Sequence, residues 1–241
     1  MELVRQRRCV LSASALSETQ ARLAVRLVEF NMHVARFAHR SWYGRDASTQ
    51  ISNANVFDAC GKLDTRAESH ISEWLLRELD LYRAMDWEMS EPEKRLWLLD
   101  GASLERLAQE LALTMHREWL LQVIDARRLR ALESSVSERA LHFVIEEVPQ
   151  GQFHYGSPAV SFEIESSAVL GTKLKEAGAR TLMALLQPAW RAVRGRAQLY
   201  FDRSQKLDDV TPFEAAHRDQ ALELICGWLL PRRFPEWGWC F

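Results

Sequence analysis

The sequence predicts a mainly α protein, an irregular helical domain of about eight helices. Three observations carry that reading. Glycine is 10 and proline 7 of 241 residues, so tight turns are few and long helices are favoured over many short strands. Helix-start signals recur, with a hydroxyl residue three positions before an acid or amide. Apolar residues then repeat at the three-to-four spacing of one helical face.

Taken in order, Ser17-Glu18-Thr19-Gln20 opens the series. Residues 1–20 are expected to be an extension and 21–241 one α-helical domain. Trp42 to Leu63 is polar, carries Gly44, Asn53, Asn55 and Gly61, and reads as a long loop. Thr65-Arg66-Ala67-Glu68 starts a helix whose face is Ile71, Trp74, Leu75, Leu79 and Tyr82. Ser90-Glu91-Pro92-Glu93 is the next start, and Leu104, Leu107, Ala108, Leu111, Met115 and Trp119 form the following stripe. Ser135-Val136-Ser137-Glu138 leads into Leu141, Val144, Ile145 and Val148. Residues 152–164 carry Gly156, Pro158 and alternating Val160, Phe162 and Ile164. They read as a short β-hairpin or an extended connector, and a subdomain hinge is expected near 149–165. Leu170, Leu174, Ala177, Leu182, Leu185 and Leu186 make another stripe, followed by Trp190, Val193, Ala197 and Phe201. Thr211-Pro212-Phe213-Glu214, with proline at the first helical position, precedes Ala221, Leu224, Ile225 and Trp228. These stripes are core faces before they are ligand boxes.

Charge narrows the function classes. The formal net charge is −2, which argues against nucleic-acid binding through bulk positive charge. The total conceals an asymmetry. Residues 57–110 hold 7 basic and 13 acidic side chains, and residues 173–206 hold 8 basic and 2 acidic. Ordinary solvated faces would explain this, as would two oppositely charged docking faces. Cys9, Cys60, Cys226 and Cys240 are isolated and read as reduced cytosolic thiols. Arg7-Arg8 before a short apolar stretch faintly resembles an export signal, but Ser12 and Ser14 interrupt it. No apolar run reaches membrane-spanning length.

The sequence has no glycine-rich phosphate cradle, no serine nucleophile elbow and no H-E-x-x-H pair. The histidines His33, His39, His70, His116, His142, His154 and His217 form no ligand spacing, and neither a metal nor a cofactor is expected. Arg191, Arg194 and Arg196 cluster near Trp190 and Tyr200. The chain ends Phe234-Pro235-Glu236-Trp237-Gly238-Trp239-Cys240-Phe241. Four aromatics in eight residues either pack back on the domain or dock another protein. For partner contact the candidates are Arg191, Arg194, Arg196, Phe234, Trp237, Trp239 and Phe241. Trp237→Ala or charge reversal at Arg194 is then expected to weaken one partner without unfolding the chain.

One stretch rises above generic helix. Val28-Glu29-Phe30-Asn31, His33, Ala35-Arg36-Phe37, His39 and Ser41-Trp42 resemble the N-terminal signature of the SctK-type (YscK/PscK) proteins of bacterial type III secretion systems. Val34 stands where that signature has proline, and Phe37 where it has tyrosine. Leu107 to Arg117 is similar to a further helix of the family, with Ala112 where glycine is common. Leu222 to Leu230 followed by Pro235-x-Trp237 is similar to its closing helix and aromatic tail. The resemblance implies a helical, non-enzymatic cytosolic component of the sorting platform, without cofactor. It implies linkage between the inner-membrane ring protein's cytoplasmic domain (SctD type) and the pod protein (SctQ type), and through the pod to the stator and export ATPase. Phe30, Asn31, Arg36, His39 and Trp42 would form a structural corner of the N-terminal half. Another helical interaction protein, a chaperone or regulator, is the alternative, and an enzyme of unrecognised class comes third.

Overall fold

In the computed structural model, residues 17–43, 64–122, 126–148 and 167–241 are described. The expected hairpin and hinge at 149–165, most of the 42–63 loop, Cys9, Cys60 and residues 1–16 lie outside them. Among the described residues there are helices and turns and no strand, so the fold is mainly α.

α1 runs from Glu18 to Met32, and its start is the one the sequence signals. The Ser17 hydroxyl accepts from the Gln20 amide, and the Gln20 side chain accepts from the Ser17 N–H. Ser17 is thus the cap of α1, and residues 18–20 are its first turn. The other starts are displaced. Asp64, not Thr65, caps α2 (Thr65–Glu78). α3 (Pro92–Arg95) begins after Glu91 without a side-chain cap. Asp100 caps α4 (Gly101–Met115) through the Ser103 amide at 2.7 Å. α5 is Arg117–Leu121 and α6 is Ala126–Ser135. Ser137, not Ser135, caps α7 (Glu138–His142), which continues as a wider π-turn through Glu147. α8 is Ser167–Ala184 and α9 is Arg191–Ala197. α10 (Ala215–Leu222) starts after Glu214 rather than at Pro212, runs on as π-helix to Leu229, and leads into α11 (Leu230–Arg233). In several of these places an aspartate or a second serine near the expected cap has the extended backbone that a cap requires.

The centre of the molecule is the pair α4 and α8. α4 buries Leu104, Leu107, Ala108, Leu111 and Ala112, and α8 buries Leu170, Leu174, Ala179, Leu182 and Met183. Each such leucine contributes roughly 1.5–3 kcal/mol over its exposed state. The helices meet so closely that a Cβ on Gly178 would stand 1.7 Å from the Ala108 carbonyl oxygen. Glycine is present there because no side chain fits between the two backbones. A second, smaller cluster joins Val34, Ala35 and Ala38 to Ile71, Leu75, Leu76, Leu81 and Leu199.

One expectation changes. The α2 face stops at Glu78, because Asp80 takes a left-handed φ of 54° and the Leu81 amide closes back on the Leu76 carbonyl. Tyr82 therefore leaves the helical face and is exposed. The acidic and basic segments meet at two exposed ion pairs. α8 lies along α4, where Lys175 pairs with Glu105, and Arg191 pairs with Asp80.

Gly178→Ala is expected to cost about 2–3 kcal/mol by overpacking this contact. Gly171→Ala, whose Cβ would meet nothing closer than 3.6 Å, should be neutral or gain up to about 1 kcal/mol of helix propensity. Urea unfolding of the two variants checks the pair.

Candidate functional site

The five motif residues fall in one region. Phe30 is buried and its ring lies 5.8 Å from Phe37, which stacks at 4.3 Å on Tyr200. The Tyr200 hydroxyl donates to the carbonyls of Trp97 and Leu99, and burial holds its phenol well above the usual range. Asn31 is wholly buried at the end of α1. Its Nδ2 donates to the Leu27 and Asp86 carbonyls at 3.0 and 2.8 Å, and its Oδ1 accepts from the Asp86 amide at 3.0 Å. A side-chain amide thus pairs with Asp86 as a backbone strand would. Arg36 holds Glu68 at 2.7 Å and Glu29 at 2.9 Å, tying α1 to α2. The His39 N–H donates to the Leu199 carbonyl and Trp42 Nε1 to the Phe201 carbonyl.

The arginine cluster is divided by the fold. Arg191 is exposed. Arg194 turns inward, and its Nη atoms donate to the carbonyls of Met183, Leu186 and Val210. Two of these lie at or just beyond the end of α8, where a cation complements the helix dipole. Arg196 is 0% exposed. Its Nη1 donates to the Ala84 and Ala192 carbonyls at 2.7 and 3.0 Å, and its Nη2 to the Leu81 and Asn31 carbonyls at 3.2 and 3.3 Å. Burial lowers its pKa to about 10, so the guanidinium stays charged at neutral pH. The three arginines therefore do not share one outward face: Arg194 and Arg196 direct their Nη donors at carbonyls of the chain itself, as a charge taken out of water requires, while the buried Arg196 Nε has no acceptor among the described residues. Neighbouring Gly195 leaves the space that Leu81 fills, since a Cβ there would stand 2.7 Å from Leu81 Cδ1.

The tail packs back. Phe234 and Trp237 are buried. Arg233 grips the buried Glu110 carboxylate with two bonds of 2.8 Å, a bidentate geometry suited to a desolvated pair. Trp237 Nε1 donates to the Ser103 hydroxyl, and Arg26 lies 5.2 Å over its ring. Arg95 reaches the Cys240 carbonyl at 3.3 Å. Trp239 is half-buried and Phe241 exposed at the end. Trp237→Ala would thus open a cavity, and reversing Arg194 would take the charged donor from the Leu186 and Val210 carbonyls, so neither leaves the fold untouched.

No group of three or more His, Cys, Asp or Glu side chains among the described residues could hold a metal. Burial pushes the Cys226 and Cys240 thiols up to about 11, so both are protonated at neutral pH and poorly nucleophilic. Two structural features escaped sequence reasoning: the inward course of Arg196, and its hold on the Leu81 and Ala84 carbonyls after α2. The only sequence signal for the first was an arginine one helical turn from Ala192 on an otherwise small-residue face.

A family model described as YOP proteins translocation protein K (YscK) matches residues 14–224. No curated protein and no solved structure matches the chain.

Arg196→Met should cost about 3–5 kcal/mol, since the Ala84 and Asn31 carbonyls lose their charged donor in a buried place. Arg196→Lys should recover only part of this, because one ammonium cannot span the fork. Chemical denaturation measures both. Burial also lowers the pKa of His116 below 6.5. The unfolded chain then binds the proton first, so stability declines as pH falls through about 6.5 toward the lower folded value. His116→Gln should flatten the change in denaturation midpoint between pH 7 and pH 5.

Proposed function

Because the chain belongs to the YscK family of type III secretion proteins, we propose that it is a non-enzymatic adaptor of the secretion apparatus. It works on the cytoplasmic side of the inner membrane, linking the cytoplasmic domain of the inner-membrane ring protein (SctD type) to the pod protein (SctQ type). Through the pod it communicates with the stator and export ATPase.

The observation that carries this reading is the extent of the family match, which spans both halves of the chain. The architecture is compatible with it. The polar side chains that converge in the interior are used to hold carbonyls and carboxylates of the chain itself, and large apolar side chains remain outside. No helix among the described residues is long and apolar enough to cross a membrane. Of the candidate contact residues, Arg191, Arg194, Trp239 and Phe241 retain accessible atoms. Phe30, Asn31, Arg36, His39 and Trp42 act as the corner that fixes α1 against α2 and the 199–203 turn.

The test is joint. Purified chain mixed with the ring protein's cytoplasmic domain and the pod protein of its own secretion system should form a ternary complex on size exclusion, and deletion of the gene should abolish secretion. Binding of neither component, with secretion intact, would sink the adaptor reading. Trp239→Ala combined with Phe241→Ala should weaken binding of one component while leaving the melting temperature unchanged. Loss of thermal cooperativity in that variant would make the tail's end part of the core instead.

A further inference from the structure

α2 buries Ala67, Ile71, Ser72, Leu75 and Leu76, while Thr65, Arg66, Ser69, His70, Arg77 and Glu78 on its other side lie in water. The buried face meets little. Among the described elements its main neighbour is the turn Val34–Arg36. The cluster it joins there, with Val34, Ala35, Ala38, Leu81 and Leu199, is separate from the main core. α4, by contrast, packs along α8 and also meets α5 and the two π-helical stretches. Two polar ties run from α2 to the turn. The Ser72 hydroxyl accepts from the Ala35 amide at 3.0 Å in a buried place. Glu68 holds Arg36 at 2.7 Å, with His33 Nδ1 at 3.3 Å. The Arg36 side chain is 45% exposed, so water screens that pair and its contribution is modest.

What borders α2 is fixed without its help. Asp80 ends the helix with a left-handed φ of 54°. Immediately beyond it Leu81 is buried in the space that Gly195 leaves, and Arg196 donates to its carbonyl. The turn under α2 is fastened from the other side, where the His39 amide donates to the Leu199 carbonyl and Trp42 Nε1 to the Phe201 carbonyl. None of the four acceptors of Arg196 lies on α2, and neither does any residue of the α4–α8 axis. A helix of 14 residues is marginal in water once its packing is lost. Elements with few buried apolar contacts are the ones that open below the global unfolding free energy.

We propose that α2 is a cover over the turn 34–38 that opens as one unit, with Asp80 as its boundary, while the rest of the fold stays native. Opening breaks the Ser72–Ala35 hydrogen bond and the Glu68–Arg36 pair, and it bares Val34, Ala38 and Leu199 together with the inner face of α2. The Leu76 carbonyl releases the Leu81 amide, but Leu81 itself stays seated on Gly195 under Arg196. The corner at Phe30, Asn31 and Trp42 is left standing, since its hydrogen bonds run to Leu27, Asp86 and Phe201 and not to α2. The inference concerns this chain alone and does not depend on the adaptor reading.

Native-state hydrogen exchange of the full chain over a series of low urea concentrations tests this. The amides of Ser69 to Glu78 should share one opening, with a urea slope smaller than the global one and protection about a hundredfold or more below the slowest amides of α4 and α8. The Ala35 amide, whose acceptor is on α2, and the Leu81 amide, bonded to Leu76, should exchange with them. The His39 amide, bonded to Leu199, should follow the body instead. Gly178→Ala should lower protection in α4 and α8 and leave that of α2 unchanged, because an opening that keeps the α4–α8 contact intact does not feel its strain. Ile225→Val, a milder change in the same core, should do likewise if Gly178→Ala does not fold. Ser72→Ala should lower both sets alike, since its hydrogen bond is lost in the opened and in the unfolded chain. Exchange of α2 at the free energy and urea slope of α4 and α8 would make it part of the global unit. Scattered values without a urea slope would mean that its amides fray singly. Either result overturns the proposal, as would an Ala35 amide that follows His39, or core variants that weaken α2 as much as α8.

Discussion

The buried guanidinium of Arg196 is the constraint on which the N-terminal half depends. Its four carbonyl acceptors belong to α1, to the segment after α2 and to its own helix. A cation without a contacting carboxylate is stabilised here by converging backbone dipoles, one of them close to the negative end of α1. None of the three elements can shift without stranding either a charge or a carbonyl, and both are expensive in a dry interior. Asn31 extends the same device by offering Asp86 the donor and acceptor pair that a neighbouring strand would supply.

The C-terminal half is held differently. The close approach of α4 and α8 at Gly178 gives a dense apolar axis, and the tail is fastened to it through one desolvated ion pair, Arg233 with Glu110. Apolar packing there sets the shape, and the ion pair sets the register of the final residues. The contrast explains why the two aromatic groupings behave differently. Trp237 is seated on α4 and finds the Ser103 hydroxyl. Trp87 sits on a segment held through its backbone, through Asp80 and Asp86 and by the buried Leu81 and Met89, and its own ring is left outside.

Much of the fold was legible in the sequence, because helices leave a strong local trace. The apolar stripes of α4 and α8 fall inside the core as their spacing requires, and the Ser17–Gln20 capping box forms as written. The misplaced starts have a common reason. Serine or threonine three residues before an acid is a frequent pattern, and which nearby side chain caps depends on which residue takes the extended backbone. At 64 and 100 that residue is an aspartate. The extension of the α2 stripe to Tyr82 failed because periodicity is blind to an aspartate that adopts a left-handed turn.

The candidate site was less legible. Arg191, Arg194 and Arg196 look alike in sequence, and composition cannot say which arginine faces water. The family resemblance rested on Phe30, Asn31 and their neighbours, and that much was available from the chain alone, as were the helical class and the aromatic tail. Only the tertiary structure decided that Arg196 is interior, that Lys175 of α8 pairs with Glu105 of α4, and that Tyr82, Met85 and Trp87 are left outside. The physical reason is range. Periodicity and capping are decided within a few residues, whereas the acceptors of Arg196 lie up to 165 positions away, and only packing brings them together.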